Sequence, residues 1–176
     1  MRSLSPVEAA LCVAIGGSVL AVGLPAFVRN LHASRLVEPI DGLNRIAAAA
    51  AERVAGQSSS DEPAPESDAP PRAGKLEYPA SVGPTPQTVP LGAPARDAPG
   101  AWEQPTWKAL RFGFSRPHSY SFEFQSELRG RKARYRAIAR GDLDGDGQAS
   151  EFAVRGEVTP GAEPLTFPLE MHREIE

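Results

Sequence analysis

From Ala9 to Val28 the chain carries no charged residue. Twenty residues at a helical rise of about 1.5 Å span about 30 Å, the hydrocarbon thickness of a bilayer. Beyond Arg29 the apolar positions take up a helical period. Leu36, Ile40, Leu43, Ala47, Ala50 and Val54 recur at steps of four and three, one face of an amphipathic helix. Arg35, Glu38, Asp41, Arg45 and Glu52 fall on the opposite side, and the alanines from Ala47 to Ala51 favour helix strongly. The pattern predicts one long helix from about Pro6 to about Ala55. Bends are expected near Pro25 and Pro39, local weakening at Gly42, and an end at Gly56.

From Tyr120 the period becomes two. Tyr120, Phe122 and Phe124 alternate with Ser121, Glu123 and Gln125; Ala133, Tyr135, Ala137 and Ala139 with Arg134, Arg136, Ile138 and Arg140; Phe152 and Val154 with Glu151, Ala153 and Arg155; and Leu165, Phe167, Leu169 and Met171 with Thr166, Pro168, Glu170 and His172. Four short strands with turn-rich connections predict an antiparallel sheet, one face apolar and the other carrying Arg134, Arg136, Arg140 and glutamates. Pro168 suits an edge strand. Pro105 to Leu110 reads as one helical turn. The expected fold class is α+β: one long N-terminal helix packed on a four-stranded antiparallel sheet, with a long proline-rich loop between them.

Composition changes the picture in the middle of the chain. Eleven of the eighteen prolines lie between Pro63 and Pro105. Residues 57–72 are polar, acidic and proline-rich, too poor in apolar side chains to offset the entropy of ordering. Residues 75–94 add Leu76, Tyr78, Val82, Val89 and Leu91, which predicts an irregular stretch laid on the domain. The net charge of −3 and the lack of a long basic run argue against a nucleic-acid partner. The single cysteine, Cys12, lies in the apolar run, so no intramolecular disulfide can form. The run lacks an A-x-A cleavage site and is longer than the apolar core of most secretory signals, so it is read as a retained helix.

One carboxylate, Glu8, stands at the head of the uncharged run, seventeen residues before Pro25. Placed beside an apolar helix, it costs a few kcal/mol unless a cation or amide donor meets it. With Arg2 ahead of it and the Pro25-Ala26-Phe27-Val28-Arg29 exit behind it, the segment resembles the N-terminal helix of type IV pilins and of the related type II secretion pseudopilins. The resemblance implies a leader Met1-Arg2-Ser3, cleavage between Ser3 and Leu4, and N-methylation of Leu4. It implies that Glu8 recruits the N-terminal amine of an incoming copy. It also implies that the helix between Gly16, Gly17 and Pro25 can melt within a filament. Departures from the family pattern are Ser3 in place of glycine, Leu4 in place of phenylalanine and Pro6 inside the cleavage motif. The expected organisation is a leader at 1–3, a membrane and assembly helix at 4–28, an amphipathic half-helix at 29–56, a proline-rich loop at 57–100 and a sheet domain at 101–176, with the lollipop outline of a pilin.

One further motif offers chemistry. Asp142, Asp144 and Asp146, followed by Gly147, match the first half of an EF-hand-like calcium loop, and the Gln148 carbonyl and Ser150 offer further oxygens. Position twelve of such a loop is Ala153, not a bidentate glutamate. Asp-Gly pairs between strands are also a hairpin signal, so a turn and a calcium clip are both open. His32, His118 and His172 are scattered and read as surface residues. No nucleophile-base, phosphate-loop or dinucleotide motif is present, and no enzyme is expected.

Three functions follow. The first is a major or minor subunit of a type IV pilus, anchored in the bacterial inner membrane with its C-terminal domain in the periplasm. Its partners would be copies of itself or other pilins, the prepilin peptidase and the inner-membrane assembly platform. The second is a type II secretion pseudopilin. The third is a single-span anchored periplasmic binding domain.

Overall fold

A computed structural model describes residues 6–59 and 76–172, apart from the side chains at most positions between 8 and 35 and at 58–59. The chain divides into two compact units, Met1–Val37 and Glu38–Glu176. Helix α1 runs Pro6–Ser59, so its backbone belongs to both. In the first unit Val7 and Ile15 are exposed, and Ser18 Oγ donates to the Ala14 carbonyl at 2.8 Å.

The second unit is built on a six-stranded antiparallel sheet: β1 (Val82–Thr85), β2 (Tyr120–Arg129), β3 (Lys132–Gly141), β4 (Ser150–Val158), β5 (Leu165–Thr166) and β6 (Glu170–His172). The order is β1-β2-β3-β4-β5, and β6 pairs with β4 alongside β5. A short helix, α2 (Pro105–Ala109), follows the β1 loop, its first turn begun by a proline whose fixed φ suits that position.

The expectation of one long N-terminal helix on a four-stranded sheet is corrected on both counts. Of the helix, the 22 residues 36–57 are the stretch that accompanies the sheet, and the sheet has six strands. Residues 75–94, expected to be irregular, supply β1, which pairs Val82 with Phe124 and Thr85 with Phe122. The fourth expected strand, around Leu165 to Met171, is broken into β5 and β6. Pro168 has no N–H to continue a ladder, whereas Phe167 still donates to the Arg155 carbonyl at 2.8 Å.

Apolar stripe and sheet face meet as elementary packing requires. Pro39, Gly42, Leu43, Ile46, Ala47, Ala50 and Val54 are buried, while Leu36 and Ile40 are half-buried. The stripe is therefore rotated slightly from the expected one, and Ile46 joins it. Full burial of a Leu, Ile or Val side chain contributes about 1.5–3 kcal/mol. Gly42, expected to weaken the helix, is instead a contact point against the Phe122 ring. The helix also continues past Gly56 to Ser59. On the sheet, Phe122 and Phe124 of β2 stand beside Ala139 and Ala137 of β3 and Phe152 and Val154 of β4, all buried. Large residues on one strand against small ones on the next let the layer interdigitate. Trp102, Trp107, Phe112, Phe114 and Phe122 form a cluster of rings with centroids 5.1–6.4 Å apart, mostly edge to face.

Candidate functional site

The β3–β4 connection is the acidic turn singled out in the sequence. β3 ends at Gly141 and β4 begins at Ser150, whose hydroxyl donates to the Gly141 carbonyl at 2.9 Å and closes the hairpin neck. Between them, Gly145 and Gly147 adopt φ of 80° and 88°, a left-handed backbone that suits glycine. This folds the loop so that ligand oxygens of Asp142, Asp144 and Asp146 lie within 4.8 Å of one another. Asp142 is buried and accepts the Gly145 N–H at 2.7 Å and the Gly147 N–H at 2.8 Å, one on each oxygen. Asp144 and Asp146 are exposed, and each accepts the N–H two residues on, from Asp146 and Gln148 at 3.1 and 2.6 Å. The Gln148 side-chain amide also donates to Asp146.

Three carboxylates are thus held together, and the peptide amides partly offset their repulsion. The turn closes on its own hydrogen bonds, as the hairpin reading expects. The hard-oxygen donor set also suits a cation of the calcium type, with Asp142, Asp144 and Asp146 as the residues that would hold it. Ser150 is engaged with the hairpin neck instead of the aspartates. Leu91 forms a parallel bridge with Asp142, and the Gly92 N–H donates to the Asp142 carbonyl at 2.8 Å, so the 91–95 segment braces the turn.

A second constellation had no sequence signal. His118, expected at the surface, is 1% exposed. Its Nε2 lies 2.7 Å from Asp97 Oδ2 and its Nδ1 lies 2.7 Å from the Tyr120 carbonyl. Trp102 Nε1 donates to the same Asp97 oxygen at 2.6 Å. The His118 and Asp97 positions are 21 residues apart in an irregular region, and no motif spacing links them. Beside them, Glu38 Oε1 accepts the Ser119 and Tyr120 N–H groups at 2.8 and 3.0 Å, tying α1 to the start of β2. Burial pushes the Glu38 carboxyl above its ordinary value, against those two hydrogen bonds and the nearby His118.

The outer face of the sheet carries the expected arginines, and each is paired. Arg140 reaches Glu123 at 2.5 Å and Glu151 at 2.9 Å, and Arg136 reaches Glu151 at 3.0 Å. Lys132 and Arg134 share Glu157 at 2.7 and 3.2 Å, and Arg155 pairs with Glu170. Ile138 and Ala153, on this same face, are nonetheless buried. Burial would raise the Glu123 carboxyl, but hydrogen bonds from Arg140 and Gln125 and the charges of Arg140 and Arg136 outweigh it and hold it low. Glu157 is held low by its hydrogen bond to Lys132, with further help from the charges of Lys132 and Arg134. A groove of about 710 Å³ crosses this face, lined among others by Gln125, Glu127, Arg134, Arg136, Arg155 and Glu157. Its cations already face carboxylates, so it offers no concentrated positive field to a polyanion.

The N-terminal candidates divide in two. Ser3 and Leu4 lie outside the described residues. Glu8, Gly17 and Pro25 lie on the helical backbone of α1, with their side chains outside the described residues. Among the described residues no helix is long and apolar enough to cross a membrane. Most side chains of the Ala9–Val28 run fall outside that description. No protein-family model, curated protein or solved structure matches the chain.

Proposed function

We propose that this chain is a structural subunit of a type IV pilus, polymerising through its N-terminal helix. The observation that carries the reading is Glu8 at the head of a twenty-residue uncharged run, seventeen residues before Pro25. A carboxylate in that place needs a donor to offset its desolvation, and the amine of a neighbouring copy, freed by cleavage before Leu4, is such a donor. The helical backbone from Pro6 onward and a sheet domain following the helix in the chain are compatible with that use. Before assembly, Ala9–Val28 would hold the subunit in the inner membrane with its sheet domain in the periplasm. A prepilin peptidase would remove Met1-Arg2-Ser3, Leu4 would be methylated, and the assembly platform would add the subunit to the filament. The acidic turn, on this reading, is a brace for the sheet in a chain with no disulfide, taking calcium where the cation is present.

N-terminal mass spectrometry of the protein from its native host tests this, together with a Glu8→Ala variant. The expected result is a methylated chain starting at Leu4, and a variant that inserts in the membrane but does not enter filaments. An intact Met1 with normal membrane retention and no self-association would sink the reading.

A further inference from the structure

Two turns of the sheet in the second unit carry opposite charge, the β2–β3 tip basic and the β3–β4 turn acidic. Strand β3 has ten residues, so the β2–β3 turn and the β3–β4 turn are separated by about 30 Å at the usual rise per residue. At the first end the sequence Leu128-Arg129-Gly130-Arg131-Lys132 turns tightly through Gly130 at φ 62°. Arg129 and Arg131 are exposed. Among the described residues Arg129 has a surface pair with Glu127 at 3.1 Å and Arg131 pairs with no carboxylate. Exposed pairs of that kind contribute little and exchange readily. At the other end Asp144 and Asp146 are exposed and, among the described residues, neither meets a cationic side chain.

Beside each of these turns a leucine is exposed to solvent. Leu128 is 47% exposed beside the arginines, and Leu91 is 62% exposed, bridged to Asp142 at the base of the acidic turn. An apolar side chain flanked by cations at one end thus answers an apolar side chain flanked by carboxylates at the other.

We propose that the β2–β3 hairpin tip of one copy docks head to tail on the cation-free β3–β4 turn of the next, with Leu128, Arg129 and Arg131 against Leu91, Asp144 and Asp146, so that calcium and the tip compete for the turn. This rests on the filament reading above and names a contact between sheet domains, separate from the Glu8 contact. A surface that fits a different surface of an identical molecule gives a heterologous contact, which propagates along a filament instead of closing into a dimer. The leucines supply apolar area removed from water, and the charges set register and speed encounter. Screening by salt over about 8–10 Å makes the charged part sensitive to ionic strength.

Charge-swapped full-length chains in the native host test it. Arg129→Glu with Arg131→Glu reverses the tip, and Asp144→Lys with Asp146→Lys reverses the turn. Either alone is expected to lower filament yield by at least about tenfold. Expressed together they are expected to restore filaments, because each reversed end then finds its complement. If the turn-reversed chain fails to fold, judged by its melting transition, Leu91→Lys at an exposed site takes its place with the same expected loss. Filaments at wild-type yield from the tip-reversed chain would overturn the contact while leaving the filament reading intact. A tip reversal that abolished binding to duplex DNA and left assembly unchanged would overturn it in favour of a polyanion. A wild-type chain that makes no filaments, with Glu8→Ala behaving identically, would overturn the filament reading and the contact with it.

Discussion

Gly42 of α1 lies flush against the ring of Phe122 on β2: a Cβ there would stand 2.5 Å from one ring carbon and 2.7 Å from the next. Phe122 is fully buried among Phe112, Phe114 and Trp102, so the ring has no room to yield. A helix-interior glycine replaced by alanine ordinarily gains about 1 kcal/mol from propensity. Overpacking a filled core costs about 1–3 kcal/mol. Gly42→Ala is expected to lower the stability of the sheet domain, measured by chemical denaturation. A rise in stability would mean that α1 does not approach β2 this closely.

The His118–Asp97 pair supports a prediction of its own. Asp97→Ala removes the acceptor of both the buried His118 ring and Trp102 Nε1. Leaving a buried polar group without its partner costs about 1–3 kcal/mol. The loss should be felt locally as well, since Ala95 and His118 exchange backbone hydrogen bonds at 2.9 and 3.0 Å. Amide exchange at Ala95 is expected to quicken more than at Ala137 in the sheet centre. Equal quickening at both positions would show that the pair supports the whole domain without a local role.

Acid and neutral pH should act on this domain with opposite signs through different carboxylates. Burial raises Glu38, so the folded chain holds its proton more tightly than the unfolded chain does. Its contribution is therefore full below the ordinary value of 4.5 and is lost as pH rises through the higher folded value. Glu123 and Glu157 are held low, so theirs are full above 4.5 and are lost as pH falls. Urea unfolding across about pH 3 to 8 reads both limbs. Glu38→Gln keeps an oxygen for the Ser119 and Tyr120 amides and should flatten the upper limb alone. Glu123→Gln should weaken the acid limb alone. An unchanged profile in both variants would rule out these groups as the source.

Within the acidic turn the three aspartates should not be equivalent. Asp142→Ala removes a buried carboxylate that accepts from the Gly145 and Gly147 amides, at about 0.5–1.5 kcal/mol for each hydrogen bond lost. Asp144→Ala removes one exposed carboxylate and should change stability by less than about 1 kcal/mol without added cation. Calcium titration followed by thermal melting then separates brace from turn. Wild-type protein is expected to gain melting temperature with calcium and Asp144→Ala to lose that gain. No gain in the wild type would leave the aspartates as turn formers.

The periodicities alone determined that the chain is helical across Leu36 to Val54 and forms an antiparallel sheet after residue 120. They also determined which face of Ala133 to Ala139 is buried, because period two and period 3.6 follow from backbone geometry. The spacing of three aspartates likewise predicted their convergence, since residues two apart in a tight glycine turn project to one side. Only the tertiary structure decided that Val82–Thr85 joins the sheet, that Leu165 to His172 splits at Pro168, and that Gly42 is a contact and not a weak point. Each depends on a partner distant in sequence: Phe122 and Phe124 for β1, β4 for the split edge, Phe122 for the glycine. His118 and Asp97 meet for the same reason. Nothing local distinguishes a surface histidine from one that a loop 21 residues away will cover, because burial is a property of the packed whole.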